Sequence, residues 1–141
     1  FAICKADMLI KEEDPDKIAF GSTLSNDGFP NLQFDFMLTN PPYGKTWKID
    51  QDSIFDGKKK EIVDHRFKMG IPRVSDGQLL FLMNMVSKMK KDSELGSRIA
   101  SVHNGSSLFT GDAGSGESEI RRFILENAAS SGITTAGVCI L

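Results

Sequence analysis

Four constrained residues, Asn40-Pro41-Pro42-Tyr43, follow directly on an apolar run that ends at Thr39. They place a carboxamide, two rigid carbonyl groups and an aromatic ring at one point of the chain. The carboxamide oxygen and the next carbonyl oxygen can each accept an N–H bond of a planar amine, which frees the nitrogen lone pair for alkylation. The prolines fix φ at about −65° and remove backbone donors, so the carbonyls keep their direction. The spacing suits methylation of an amino group on a nucleobase that stacks on Tyr43.

The same four residues also have a purely structural interpretation. A strand can end in a stiff Pro-Pro turn in which Tyr43 is a half-buried packing residue. Short motifs are hypotheses until their structural context is known. The chemical interpretation requires the side chain of Asn40 to face open space rather than the packed interior.

Length and composition indicate a single globular domain whose net charge does not favour binding to nucleic acid. The chain has 141 residues, 40% hydrophobic and 26% charged, with a net charge of −2, which is typical of a soluble domain with a core. Contact with nucleic acid must therefore come from a local patch or a partner. The basic stretch 58–73 is such a patch, and it fits either a loop that contacts phosphates or a solvated loop.

Cysteine usage and the chain start bear on compartment and membrane contact. Cys4 and Cys139 lie at opposite ends and are interpreted as free thiols of a cytosolic protein rather than as a bridge. Neither they nor the two histidines have metal-ligand spacing, so no metal site is predicted. No stretch approaches the roughly 18 apolar residues of a membrane helix, and the start does not resemble a signal peptide. We expect a cytoplasmic protein without a membrane partner.

The start at Phe1, already in a helical pattern, suggests a fragment or a processed domain.

The elements that must position these groups follow from hydrophobic periodicity. Helices are predicted over about residues 1–12, 77–91 and 117–127, and strands over 17–21, 34–39, 98–102 and 136–141. This order is typical of an α/β fold with a mostly parallel sheet. Residues 34–39 are apolar on both faces apart from Asp35, which predicts a central strand covered on two sides. Residues 43–75 lack periodicity and are predicted to be a functional or mobile loop.

Two polar turns are predicted to share one rim of this sheet. Ligands gather at the carboxyl ends of parallel strands, and Asn40–Tyr43 and Asn104–Phe109 each follow a strand. Asp76 or Ser75 is predicted to cap the helix that begins near Gly77. The pattern therefore predicts a shared site at the strand ends.

Taken in order, these segments resemble the amino-methyltransferases of DNA that use S-adenosylmethionine, and more narrowly the modification subunit of type I restriction-modification systems. Asn40-Pro41-Pro42-Tyr43, followed by Trp47, resembles the catalytic turn of that family, and Gly21-Ser22-Thr23-Leu24 resembles its Gly-Asp/Asn-Thr-Leu turn. The other similar segments are 1–10, 76–82, 105–111 and 120–127. Asn-Pro-Pro-Tyr alone also fits protein-glutamine and RNA methyltransferases, and the ordered set narrows the interpretation.

The resemblance implies one partial methyltransferase catalytic domain over residues 1–141, with a Rossmann-like α/β fold that is incomplete at its N-terminal side. It implies site-specific transfer of a methyl group from S-adenosylmethionine to adenine N6 in DNA, with DNA and the specificity and restriction subunits of a type I complex as partners. The implied catalytic residues are Asn40, Pro41, Pro42 and Tyr43, and the implied cofactor-binding residues are Ser22, Thr23, Leu24 and Asn40.

The sequence also departs from the family pattern. The Gly-rich cofactor loop and the acidic ribose ligand are missing, Ser22 stands where Asp or Asn is frequent, and residues 129–141 do not resemble the family's continuation. Gly111, Gly114 and Gly116 follow the wrong strand and are interpreted as a flexible loop before a helix. Missing strands would leave unpaired backbone groups, so we expect an altered strand pairing or association with another chain. A non-catalytic interaction module, and a methyltransferase of protein or RNA, remain the alternatives.

Overall fold

The computed structural model describes residues 1–58, 61–92, 94 and 96–130, and the side chains of residues 127–130 are outside the description. The predicted strand at 136–141 and Cys139 therefore lie outside the described residues, whereas Cys4 is exposed and free. The helices are α1 (Ala2–Ile10), α2 (Gln51–Ile54), α3 (Gln78–Ser87), α4 (Ser106–Phe109) and α5 (Gly116–Ser130), and the strands are β1 (Phe36–Thr39) and β2 (Arg98–Ser101). Short 3₁₀ turns occupy Pro15–Lys17, Lys48–Asp50 and His65–Phe67.

The two strands form a parallel sheet, as predicted for this part of the chain. Phe36 pairs with Arg98 and Thr39 with Ser101. Parallel strands need a crossover connection, and α3 lies in that connection and contacts β2. The described residues therefore form a small α/β unit in which β1 and β2 end at the same edge.

One face of this sheet is open, which contradicts the prediction of a strand covered on both sides. Phe36 and Leu38 are 62% and 84% exposed, whereas Met37 and Thr39 point the other way and are half-buried. On β2, Ala100 is exposed in register with Leu38. The prediction was wrong because apolar residues show what a strand can bury, not whether a second layer covers it.

Residues 17–21 do not form the predicted strand. Asp14 instead caps a 3₁₀ turn, since its Oδ1 accepts the N–H of Asp16 at 2.9 Å and Pro15 occupies the first position. Capping by Asp before Pro is a strong local start signal. It outweighs the strand propensity of the residues that follow, and Phe20 is left exposed.

The predicted helix over residues 1–12 is confirmed as α1, but α1 buries none of its residues. The hydrophobic core lies elsewhere, around α3, α5 and the segment between β1 and α3. Its buried members are Leu24, Trp47, Ile54, Phe67, Leu79, Leu80, Met83 and Ile120. The segment 43–75 is thus irregular, as predicted, yet it supplies three core side chains.

The start of α5 is also packed rather than a flexible loop, which corrects the interpretation of Gly116. A Cβ atom at Gly116 would lie 1.7 Å from the carbonyl oxygen of Ile71, and one at Gly70 would lie 2.7 Å from the carbonyl oxygen of Gly116. Only hydrogen at both positions allows such close backbone contact. The helix then continues to Ser130, three residues beyond the predicted end.

No helix in the described part of the chain is both long and apolar enough to cross a membrane.

Candidate active site

The Asn40–Tyr43 turn lies at the carboxyl end of β1, on the surface. Asn40 is exposed, Pro41 is buried and Tyr43 is 36% exposed. Gly44 follows with φ of +57°, a left-handed conformation that glycine adopts without strain. The buried proline anchors the turn while the two polar side chains face outward.

Within the turn, the Tyr43 hydroxyl donates a hydrogen bond to Oδ1 of Asn40. A carboxamide oxygen has two lone pairs, so this oxygen can accept a second donor from outside the protein. The structure therefore brings the predicted carboxamide and the predicted aromatic ring together at an accessible position.

The chain after the turn is fastened to the segment that leads into α3. Segments 44–47 and 73–77 run side by side and exchange hydrogen bonds between their backbones and side chains. The bonds are Gly44 N–H to Asp76 Oδ1 (3.2 Å), Gly77 N–H to Lys45 O (3.2 Å), Trp47 N–H to Val74 O (3.2 Å) and Trp47 Nε1–H to Arg73 O (3.0 Å). These contacts fix the C-terminal side of the turn.

The cap of α3 differs slightly from the prediction. Gly77 occupies the N-cap position, and a Cβ there would lie 3.0 Å from the Trp47 ring. Asp76 still serves the helix end, because its Oδ1 accepts the N–H of Gln78 at 3.3 Å. The same carboxylate oxygen thus holds both the helix start and Gly44.

Behind the turn lies a buried polar cluster centred on Gln78. The Nε2 group of Gln78 donates to Asp76 Oδ2 at 2.8 Å and to Asn104 Oδ1 at 2.9 Å. On the other side, Oε1 of Gln78 is 3.1 Å from Nδ1 of His103, and Nε2 of His103 is 2.8 Å from the Ser101 hydroxyl. Because Oε1 can only accept, Nδ1 of His103 donates to it, and Nε2 accepts from Ser101.

This cluster joins the two turns that the sequence predicted on one rim. Asn104 follows β2, and Asp76 holds Gly44 after β1, so Gln78 connects both strand ends. Half-burial of His103 lowers its pKa, since it penalises the charged ring, although the Asp76 carboxylate acts in the opposite direction. The neutral ring matches the donor directions of the cluster.

The predicted cofactor segment is anchored to the hydrophobic core at its C-terminal end. Ser22 and Thr23 are exposed, whereas Leu24 is buried in the core. The guanidinium of Arg66 donates to the carbonyl oxygen of Thr23 at 2.8 Å and to that of Leu24 at 3.0 Å. Two polar side chains are thus presented on a fixed backbone. Among the described residues, no hydrogen bond joins this segment to Asn40.

At Arg66, neither interpretation of the basic stretch 58–73 holds, because this residue is buried rather than solvated or open to phosphates. Arg66 is 6% exposed and binds Asp64 at 2.7 Å and Asn84 at 2.8 Å. Burial would raise the pKa of Asp64, but hydrogen bonds and charge from Arg66 outweigh it and lower that pKa. A buried, fully paired guanidinium cannot reach a phosphate.

Other polar features lie away from the turn. A cavity of about 340 Å³ is lined in part by Asp27, Gln33, His65 and Lys88, and by none of the predicted site residues. Asp27 and Lys88 form an ion pair of 2.7 Å there. Among the described residues, no three side chains of His, Cys, Asp or Glu come together as metal ligands.

The clusters of Gln78 and Arg66 were not predicted from the sequence. Each joins side chains and carbonyl groups from segments far apart in the chain, so no local spacing reveals them. The available signal was a polar residue inside an apolar helix: Gln78 and Asn84 interrupt the hydrophobic run of α3, and buried amides require partners.

Comparison with known proteins identifies the family. The chain matches the sequence model of the family described as N-6 DNA Methylase over residues 1–136. No curated protein and no solved structure matches it significantly. Because the match covers nearly all of the 141 residues, the chain belongs to the N-6 DNA methylase family of adenine DNA methyltransferases.

Proposed function

We propose that this protein transfers the methyl group of S-adenosylmethionine to N6 of adenine at specific sites in DNA, as the modification subunit of a type I restriction-modification system. Family membership supports the reaction class. The observation that carries the proposal is the exposed Asn40 at the end of a parallel strand, in contact with Tyr43.

In this mechanism the turn holds the target amine. Oδ1 of Asn40 and the carbonyl oxygen of Pro41 accept its two N–H bonds, which localises the nitrogen lone pair. The Tyr43 ring stacks on the extruded base. No general base is needed before attack, because the proton leaves only after the nitrogen has become cationic. Preorganised acceptors and orientation supply most of the effect.

The residues present fit part of a site for S-adenosylmethionine. Ser22 and Thr23 are polar and exposed on a backbone fixed by Arg66, and the side chain of Asn40 is accessible. These three residues would hold the cofactor, whereas the side chain of Leu24 packs in the core. When bound, the cofactor supplies an electrophilic methyl group on its sulfonium.

Partners follow from the same proposal. A net charge of −2 gives the chain little general attraction to DNA. Target recognition is therefore assigned to a separate specificity subunit, with a restriction subunit in the same cytoplasmic complex. DNA is the substrate of the assembled enzyme.

A non-catalytic interaction module is the second candidate function. The open apolar face of the sheet favours it, because large exposed apolar surfaces mark interaction sites. A methyltransferase of RNA or protein is the remaining alternative, since the same turn could hold other planar amines.

Methyl transfer from labelled S-adenosylmethionine separates these candidates. The protein is offered DNA with its specificity subunit, RNA, or protein acceptors, and the products are digested to single nucleosides and amino acids. We expect N6-methyladenine in DNA. Label on glutamine or RNA would move the activity to another substrate, and binding without transfer to any acceptor would favour the interaction module.

A further inference from the structure

The turn that carries Asn40 and Tyr43 is held at both of its ends. On the N-terminal side, the carbonyl oxygen of Thr39 accepts the N–H of Val102 at 3.1 Å. On the C-terminal side, the N–H of Gly44 donates to Asp76 Oδ1 at 3.2 Å. The four residues between these bonds take their position from two anchors on different segments of the chain.

Gln78 connects the two anchors, beside a longer contact through Ser106, whose hydroxyl lies 3.4 Å from Asp76 Oδ2 and also bonds Asn104. Gln78 donates to Asp76, which holds Gly44, and to Asn104, which follows Val102 by two residues. Its Oε1 also accepts from His103, the residue directly after Val102. Gln78 is 2% exposed, so water does not compete for these bonds.

We propose that Gln78 is a positioning residue, which fixes the distance between the ends of the Asn40–Tyr43 turn by bridging Asp76 to the end of β2. This inference rests on the proposed function, because the turn is where the amine would be held. Gln78 itself touches neither base nor cofactor.

The chemistry of the cluster explains why an amide is needed at this position. The Asp76 carboxylate only accepts, and Nδ1 of His103 donates, so the bridging group must offer N–H on one side and oxygen on the other. Leu has a similar size but would remove the bonds of Gln78 to Asp76, Asn104 and His103. Only the long contact of the Ser106 hydroxyl with Asp76, at 3.4 Å, would then join Asp76 to Asn104. In a buried cluster such unpaired groups move toward other partners.

The first test does not depend on activity. Tyr43 is the only tyrosine of the chain, so incorporated 3-fluorotyrosine gives one fluorine resonance that reports on the turn. We expect Gln78→Leu to shift or broaden this resonance. Asn84→Leu is the matched control, because Asn84 is also a buried amide on α3 but bonds to Arg66, and it should leave the Tyr43 resonance in place.

The second test is kinetic. At saturating DNA and S-adenosylmethionine, Gln78→Leu should lower kcat about 10- to 100-fold, as expected for a displaced reacting geometry. The Kd for S-adenosylmethionine should stay within about twofold, because that contact is not made through Gln78. Should Gln78→Leu fail to fold, Asp76→Asn takes its place. It keeps the shape but has a single acceptor oxygen, so it cannot accept both from Gln78 Nε2 and from the backbone N–H groups of Gly44 and Gln78.

The outcomes separate this inference from the proposed function. An unchanged Tyr43 resonance together with wild-type kcat in a folded variant overturns the positioning role. Equal effects of Gln78→Leu and Asn84→Leu on the resonance also overturn it, since the role would then be general stability. A wild-type protein without methyl transfer refutes the proposed function, while the fluorine measurement still decides whether Gln78 orders the turn.

Discussion

Asn40 is the residue on which the proposed chemistry depends most directly. We expect Asn40→Ala to reduce adenine methylation at least ~100-fold, because one preorganised polar contact is worth a few kcal/mol in a transition state. Single-turnover methyl transfer in the assembled enzyme measures this. Folding should be unaffected, since the side chain is exposed.

Tyr43→Phe is the control for that substitution. It keeps a ring for stacking and removes only the hydroxyl that bonds Asn40, so it should cost much less than Asn40→Ala. Near-wild-type turnover of Asn40→Ala would contradict the assigned role of the carboxamide.

His103 gives the folded state a dependence on pH. The ordinary pKa of 6.5 applies to the unfolded chain, and half-burial lowers it in the folded protein despite Asp76. Between these two pKa values the unfolded state binds more protons than the folded state. The contribution of neutral His103 to stability is therefore complete above about pH 6.5 and is lost as the pH falls. Urea denaturation from about pH 5.5 to about 7.5 measures this slope.

A variant that cannot titrate tests the assignment. His103→Gln should flatten the slope in that pH window, and the same substitution at His65, whose side chain is exposed, controls for the loss of a histidine. If His103→Gln keeps the wild-type slope, the pH dependence arises elsewhere.

At the scale of elements, the sequence predicted those helices and strands whose formation depends on residues within the same segment. The helices α1, α3 and α5 and the strands β1 and β2 follow from periodicity within each segment. Residues 17–21 were assigned wrongly because capping by Asp14 overrode strand propensity. The open face of β1 could not be predicted, since cover depends on what other segments bring to it.

The site divides in the same way. Asn40, Pro41, Pro42 and Tyr43 could be proposed from the sequence because their groups are contiguous in it. The bridge through Gln78 and the support of Thr23 by Arg66 could not, because the bonded groups are separated by 26 and 43 positions. Such contacts exist only after the chain has folded.

The start of α5 packs closely against the backbone of Ile71 because Gly116 has no Cβ atom. A Cβ at Gly116 would lie 1.7 Å from the carbonyl oxygen and 2.5 Å from the carbonyl carbon of Ile71, and these backbone atoms cannot rotate away. We expect Gly116→Ala to destabilise the fold by about 2–3 kcal/mol, within the range for overpacking. Chemical denaturation measures the change.

Gly57→Ala is the matched control, because no heavy atom lies within 4 Å of a Cβ at that position. It should change stability by no more than about 0.5 kcal/mol, as is usual for surface substitutions. Equal stability of the two variants would show that α5 does not dock on Ile71.

At the scale of the whole molecule, packing is uneven. The core gathers around α3, whereas α1 and one face of the two-stranded sheet contribute nothing to it. Two strands alone are marginal in water and gain stability by packing against a helix. In the described residues the sheet has this support on one side, and its other face presents Phe36 and Leu38 to solvent.

This open face makes association of the chain with itself the expected behaviour in solution. Contiguous exposed apolar surface promotes association, and Leu38 is its most exposed member on β1. We expect the weight-average mass from sedimentation to rise with concentration, and Leu38→Lys to reduce that rise. Ile49→Lys is the control, since Ile49 is also apolar and exposed but lies outside the sheet. A wild-type chain that stays monomeric at every concentration, or one that Ile49→Lys affects as strongly as Leu38→Lys, would show that the sheet face does not drive association.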